Sequence, residues 1–163
     1  MKLISGGQSG VDRAVLDLAL ARGIDYDGWC PKGGWAEDFL EPPGLLGRYP
    51  NLRETPLADP AQRTEWNVRD ADACLIVVEA GGIDVSKGAA LARELAHKHR
   101  KPVFVADLAN PDILRHATLW LRVQLARHGD DLELAVGGPR ESEAPGIYRR
   151  AADFLAALID GAE

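Results

Sequence analysis

Hydrophobic positions fall into two patterns along the chain, short continuous apolar runs and helical stripes. The runs predict six β-strands, at residues 2–5, around 24–29, at 52–55, and in the stretches CLIVVEA, KPVFVADL and LELAVGGP. CLIVVEA is continuous and apolar, as expected of a strand that is buried on both faces of its sheet.

Apolar residues at helical spacing fill the intervals between the runs. The first stripe begins near Val11 and stops at Gly23, and the third interval has Asp59 as a predicted N-cap followed by Pro60. Later stripes run through Leu91, through a long helix that we expect Asn110 to cap, and through a last helix from about residue 147.

This alternation predicts a Rossmann-like α/β fold, a mostly parallel sheet of about six strands with helices on both faces. The chain has 163 residues and no linker or low-complexity segment. We therefore expect a single ligand-binding domain over residues 1–163.

Composition narrows the function. Hydrophobic residues make up 46% and charged residues 27% of the chain, and the net charge of -6 argues against a general nucleic-acid or anionic-membrane surface. No apolar run suits a signal peptide or a membrane span. Cys30 and Cys74 form neither a disulfide framework nor metal-ligand spacing, which predicts a reduced, cytoplasmic protein without a metal centre.

Two glycine-rich loops carry the candidate chemistry. In open α/β sheets, ligands bind beyond the strand ends where the strand order reverses, usually at the first and fourth strands. Here those strands are followed by SGGQSG and AGGIDVSKGAA, whose backbone N–H groups and following helix N-termini could bind one anion. The predicted cradle comprises Gly6, Gly7, Gly10, Gly81, Gly82 and Gly88, with the hydroxyl groups of Ser9 and Ser86. The alternative is that the glycines only shape tight turns. Neither loop matches the dinucleotide or P-loop pattern, which disfavours an ordinary dinucleotide or ATP site.

Cationic side chains near the same edge could complete such a pocket. Arg13 follows the first loop, Lys87 lies in the second, Lys32 lies in CPKGG and Arg140 follows the sixth strand. Arginine can bind a phosphate through two parallel hydrogen bonds, and lysine supplies a point charge. For each of them a solvated surface charge is the alternative.

Several motifs together resemble one family. The stretches ISGGQSGVDRAVLD, DGWCPKGG, YPNLRETP, RTEWNVRDADACLIV, KPVFVADL and VGGPRESEAPGIYRRA resemble the molybdenum-cofactor carrier proteins, from Lys2 to about Leu158. That family belongs to a wider Rossmann-like group that includes the lysine-decarboxylase-like phosphoribohydrolases.

The resemblance implies a homodimeric or homotetrameric carrier that binds the molybdenum cofactor, a phosphate-bearing pterin, without altering it. It also implies molybdoenzymes or cofactor-biosynthesis proteins as partners. By position, it assigns the pocket to Ser5, Gly6, Gly7, Gln8, Ser9, Gly10, Arg13, Lys32 and Arg140. The chain departs from the family in the longer loop AGGIDVSKGAA, which could change the ligand.

The competing hypothesis is a hydrolase that cleaves nucleotides or nucleotide sugars. In the related phosphoribohydrolases a glutamate follows a Pro-Gly-Gly-x-Gly-Thr turn; if Gly88-Ala89 takes the place of that Gly-Thr, Ala92 holds the position of the glutamate here and Glu94 lies one helical step away. Without a placed carboxylate such chemistry lacks its acid–base group, which favours binding without catalysis. We interpret Arg63 and Arg69 as an ion-pair face, whereas Asn67, a poor helix former, suggests a bonding role. Trp29 and Trp35 could stack on a flat pterin or only pack a long loop.

Overall fold

The computed structural model describes residues 1–162, and it contains one six-stranded parallel sheet with helices on both faces. The strands are β1 (Lys2–Ile4), β2 (Tyr26–Cys30), β3 (Leu52–Glu54), β4 (Ala73–Val78), β5 (Val103–Asp107) and β6 (Glu133–Gly137). The helices are α1 (Val11–Arg22), α2 (Leu45–Arg48), α3 (Pro60–Asp70), α4 (Lys87–Lys98), α5 (Ile113–His128) and α6 (Ile147–Ala162). The predicted Rossmann-like α/β class is confirmed.

The order of the strands corrects the prediction of where the sheet reverses. The order is β3-β2-β1-β6-β4-β5, so β6 lies between the first and fourth strands, which we expected to flank the reversal. With β6 counted first, the chain runs outward through β1, β2 and β3 on one side and through β4 and β5 on the other. The reversal therefore lies between β6 and β4, and the loops after β6, β4 and the neighbouring β1 meet there.

Alternate residues of the central strands build two apolar layers. Leu3, Leu75 and Leu134 belong to the large cluster that packs against α1, α5 and α6. Ile4 and Cys74 belong to the smaller cluster under α3 and α4. Period-two alternation therefore places one set of side chains on each face, and the cleft described below opens on the α3–α4 face.

Helix ends agree with the sequence at two positions and differ at a third. Gly23 ends α1 in the left-handed conformation, and the Asp59 carboxylate accepts the Ala61 N–H at the start of α3. The prediction that Asn110 caps the long helix is wrong. The Asn110 side chain accepts the Asp112 N–H at 3.0 Å in the preceding turn, and the helix begins only at Ile113, after Asp112. No helix within residues 1–162 has the length and apolar character needed to cross a membrane.

Candidate anion-binding site

A cavity of about 70 Å³ lies between the sheet and helices α3 and α4, at the carboxyl ends of β1 and β6 and beside Cys74, Leu75 and Ile76 of β4. Its floor is apolar, and its rim consists of Ser5, Gly6, Gly137 and Gly138. Pockets that enclose a whole small molecule measure about 300–1,000 Å³. This cavity can therefore enclose one small group of a ligand and not a complete cofactor.

Arg63 of α3 contributes the principal charge in the cavity. The residue is only 9% exposed, its Nη1 donates to an Asp12 carboxylate oxygen at 2.9 Å, and its Nε is buried without a hydrogen-bond partner. A Cβ atom at position 6 would lie 1.8 Å from Nη1, so Gly6 is required for the close approach of the guanidinium to the first loop. An oxyanion in the cavity could accept the unpaired Nε–H.

Asp12 occupies the position that we predicted for an external anion. It lies in the first turn of α1 and is buried. Burial raises the pKa of its carboxyl, although the Arg63 guanidinium and the backbone N–H groups of Gly138 and Gln8 act in the opposite direction. The Gln8 N–H of the first glycine loop and the Gly138 N–H after β6 therefore already face a carboxylate of the protein itself, and Arg63 balances that group.

The start of α4 is the second source of donors. Ser86 caps this twelve-residue helix by accepting the Ala89 N–H at 3.2 Å, and Gly88 lines the cavity. The first N–H groups of a helix have no acceptor within the helix, and the helix dipole is positive there. Gly81 and Gly82 lie farther back, in the turn that leads to the 3-10 segment Gly82–Val85, and do not line the cavity.

The two predicted hydroxyl donors bind the protein instead of facing the cavity. Ser9 donates to the Glu37 carboxylate, and Ser86 donates to the Glu143 carboxylate at 3.2 Å. Ser5 does line the cavity, but its hydroxyl donates to the Asp12 carbonyl oxygen at 2.9 Å. These hydroxyl groups fasten the loops around the cleft.

The remaining residues of the first loop also have structural partners. The side-chain oxygen of Gln8 accepts the N–H groups of Ser9 at 3.0 Å and Glu37 at 2.9 Å. Gly10 has a φ of 78°, and a Cβ there would lie 2.4 Å from the Pro139 carbonyl oxygen. Gly7 likewise has a positive φ and packs against leucine side chains. The first loop is thus a tight turn, as its glycines predicted. It needs to be tight because it packs against the segment that follows β6.

Four predicted cations do not line this cavity, so their role in ligand binding stays a prediction. Arg13 forms two hydrogen bonds to the Asp38 carboxylate, at 2.8 and 2.9 Å, and donates to the Gly7 carbonyl oxygen. Lys32 and Lys87 are exposed, and the Arg140 guanidinium lies 5.8 Å from the centre of the Trp35 ring. Arg13 is thus paired with Asp38 and lines a separate surface pocket with Ser9 and Gly10.

Sequence reasoning missed the buried pair of Arg63 and Asp12. The predicted ion pair of Arg63 exists, but its partner lies on α1, far away in sequence, and both side chains are buried. The one available signal was Asn67, one turn after Arg63. Its amide bonds both backbone groups of Trp29, at 2.7 and 2.9 Å, which fixes α3 against β2 and so holds Arg63 at the cleft.

The other candidate chemical groups near the cleft are apolar or protonated. Ala92 lines the cavity, whereas Glu94 is exposed. Burial raises the pKa of Cys30 to about 11 and that of Cys74 to about 12, so both thiols are protonated at neutral pH.

A six-stranded, doubly wound parallel sheet with a cavity that contains Arg63 and Asp12 at its reversal point defines a Rossmann-like ligand-binding protein. The model of the circularly permutated YpsA SLOG family matches residues 3–159, and the chain belongs to this family. The position of β6 between β1 and β4 is the structural form that such a permutation takes.

One solved structure is similar over almost the whole chain. It is the crystal structure of "Putative molybdenum carrier protein" from Syntrophus aciditrophicus SB, at 1.45 Å resolution. The two chains share 37% identity with a TM-score of 0.83, and the match covers 97% of this chain and 94% of the other. No curated protein matches the chain.

Proposed function

We propose that this protein binds the anionic group of a phosphate-bearing ligand at the cavity and carries that ligand without altering it. The observation that supports the proposal best is the buried Nε of Arg63, which has no acceptor and belongs to a side chain that lines the cavity. The start of α4 provides further donors beside it.

The molybdenum cofactor is the cargo that we propose. Support comes from the similar protein that is named a molybdenum carrier and from the resemblance of the sequence motifs. The phosphate of this cofactor suits the donors of Arg63 and α4, whereas its pterin is too large for a cavity of about 70 Å³ and would lie over the adjoining surface. The proposed fit rests on the anionic group of the cofactor and on the donors of Arg63 and α4.

A titration with inorganic phosphate tests the anion site. We expect Arg63→Met to weaken binding about 10-fold or more, because a hydrogen-bonded charge is lost. Arg13→Met is the matched control, since it removes an equally buried arginine that binds Asp38 and does not line the cavity. Equal losses in both variants, or unchanged affinity in Arg63→Met, would contradict the proposal.

A second experiment tests the cargo. The purified protein is incubated with free molybdenum cofactor under anoxic conditions and then mixed with an apo-molybdoenzyme. Retention of the cofactor followed by its transfer supports the carrier. In a separate assay, release of base from nucleoside monophosphates would establish the hydrolase instead. As a carrier, the protein would act in the cytoplasm as a homodimer or homotetramer and deliver to molybdoenzymes, and light scattering measures its subunit number.

A further inference from the structure

A groove of about 370 Å³ lies on the surface next to the cavity, between the loop that follows β2 and the start of α3. Its walls are mainly flat and apolar, with Trp35, Pro42 and Pro60 on them and Leu40, which is 68% exposed. Lys32 is the one charged residue in its lining within residues 1–162. An apolar slot with a single positive charge suits a flat, uncharged ring that carries electronegative atoms.

The groove and the cavity lie one helical turn apart along α3. Pro60 lines the groove, whereas Arg63 and Thr64 line the cavity, and the Thr64 hydroxyl donates to the Pro60 carbonyl oxygen at 3.1 Å. One turn of helix rises about 5.4 Å. A ligand could therefore place an anionic group in the cavity and a ring in the groove without a long linker.

Trp35 differs from Trp29, the other tryptophan of this region. The Trp29 indole N–H donates to Asp70 at 2.8 Å, its ring packs edge-on against Trp66, and Arg53 covers it. Trp35 is half-buried, the Arg140 guanidinium lies 5.8 Å from the centre of its ring, and within residues 1–162 its indole N–H forms no hydrogen bond. Trp35 thus combines a partly exposed ring with an unused donor.

The two residues after Trp35 anchor the backbone on which it lies. The next residue, Ala36, is buried and pairs with Phe39 in an antiparallel bridge. Glu37 then binds the loop after β6 through the Ser142 N–H at 3.2 Å and the Ser142 hydroxyl at 2.5 Å. A backbone that is fixed in advance lowers the entropy cost of binding.

We propose that this groove binds the flat nitrogen heterocycle, a purine or a pterin, of the ligand whose anionic group occupies the cavity, with Trp35 as the stacking surface. This proposal rests on the proposed function, because the cavity supplies the anion contact. It adds a second subsite that selects ligands by their ring.

The experiment compares probes that share a phosphate and differ in the ring. Guanosine 5′-monophosphate, neopterin phosphate, ribose 5-phosphate and inorganic phosphate are titrated against the full chain and its variants. We expect at least one ring-bearing probe to bind more tightly than ribose 5-phosphate. In Trp35→Leu that probe should lose about 5- to 100-fold in affinity, the usual effect of removing a stacking side chain, while inorganic phosphate is unaffected.

Two further variants separate stacking from structure. Trp35→Phe keeps a ring and should retain most of the affinity, and Trp120→Leu removes the tryptophan of α5, which packs on Phe104 outside the groove, and should change nothing. The proposal is overturned if the ring adds no affinity, or if Trp35→Leu weakens all probes equally. Arg63-dependent binding of inorganic phosphate would leave the anion site established in either case. If phosphate does not bind at all, the proposed function fails and the ring subsite fails with it.

Discussion

Arg63 and Asp12 carry opposite charges that are buried beside the cavity, and each charge compensates the other. A buried ion pair contributes little net stability, whereas the loss of one partner leaves an uncompensated charge. The pair also fixes the guanidinium, because Gly6 leaves just enough room for it. Arg63 and Asp12 thus shape the site, and substituting either one leaves the charge of the other uncompensated.

We expect Arg63→Met to reduce the free energy of unfolding by about 3 kcal/mol at neutral pH, because Asp12 loses its partner. The loss should grow as the pH rises. Without Arg63, burial raises the pKa of Asp12 further. At a pH above 3.8, the ordinary pKa of this carboxyl, the folded variant therefore keeps a proton that the unfolded chain has released. Urea denaturation at about pH 4.5 and about pH 7.5 measures the difference.

The double variant Asp12→Asn/Arg63→Met is the control for that prediction. It cannot titrate at position 12, so the additional loss of stability at high pH should disappear. The same pH dependence in the single and double variants would show that another group is responsible.

At the scale of elements, carboxylates join the loops that surround the cleft. Glu37 connects the segment after β2 to the loops after β1 and β6, and Glu143 connects the loop after β6 to the start of α4. Serine hydroxyls that suggested ligand donors in the sequence serve as the other half of these contacts. The cleft is therefore held open by bonds between loops, and not by any single element.

We expect Glu37→Gln to lower the free energy of unfolding by about 1 kcal/mol at neutral pH, because charge-assisted hydrogen bonds become neutral ones. Burial opposes ionisation of Glu37, but the hydrogen bonds from Ser142 and Ser9 outweigh it and lower its pKa below 4.5. This stabilisation is present above pH 4.5 and is lost as the pH falls through the lowered pKa. Unfolding of both proteins from neutral to about pH 3 should therefore show a shrinking difference.

Glu41→Gln is the matched control, since Glu41 lies four residues away and is exposed. It should leave the free energy of unfolding unchanged across the same pH range. Faster amide hydrogen exchange at Ser142 in Glu37→Gln, and not in Glu41→Gln, would locate the effect at the loop contact.

At the scale of the whole molecule, the sheet order is the feature that positions the site. With β6 between β1 and β4, the loops after β1 and β6 meet the start of α4 at the cavity, and α3 and α4 cover it from one face. The first and last described residues also lie close together, since Met1 and Ala162 line the same surface pocket. The same elements could therefore follow one another in a different order along the chain and keep the same arrangement in space.

We expect a rearranged chain that begins at Asp130 and joins the C-terminal end to Met1 through a short glycine–serine linker to form the same sheet. The new ends would lie at the exposed turn Gly129–Asp131, which precedes β6. Cooperative thermal unfolding together with unchanged phosphate affinity would confirm it. A chain that unfolds without cooperativity would show that the native order of synthesis is needed.

The sequence by itself determined the elements and the class of fold. Periodicity, the Gly23 stop and the Asp59–Pro60 start depend on neighbours within a few residues, and they placed every strand within two residues of its observed start. The prediction that Asn110 caps the long helix was wrong because an asparagine side chain forms the same kind of hydrogen bond in a turn as in a helix cap.

Only the tertiary structure decided which polar groups meet. The order of strands places β6 at the reversal point. The cleft therefore lies beside the loop after β6, which was not one of the two glycine-rich loops predicted to form the site. Arg63 and Asp12 are 51 residues apart, and neither local pattern nor charge distinguishes them from Arg13 and Asp38. Pairing in a low-dielectric interior depends on distances of a few ångströms between distant segments, and such distances exist only once the chain has folded.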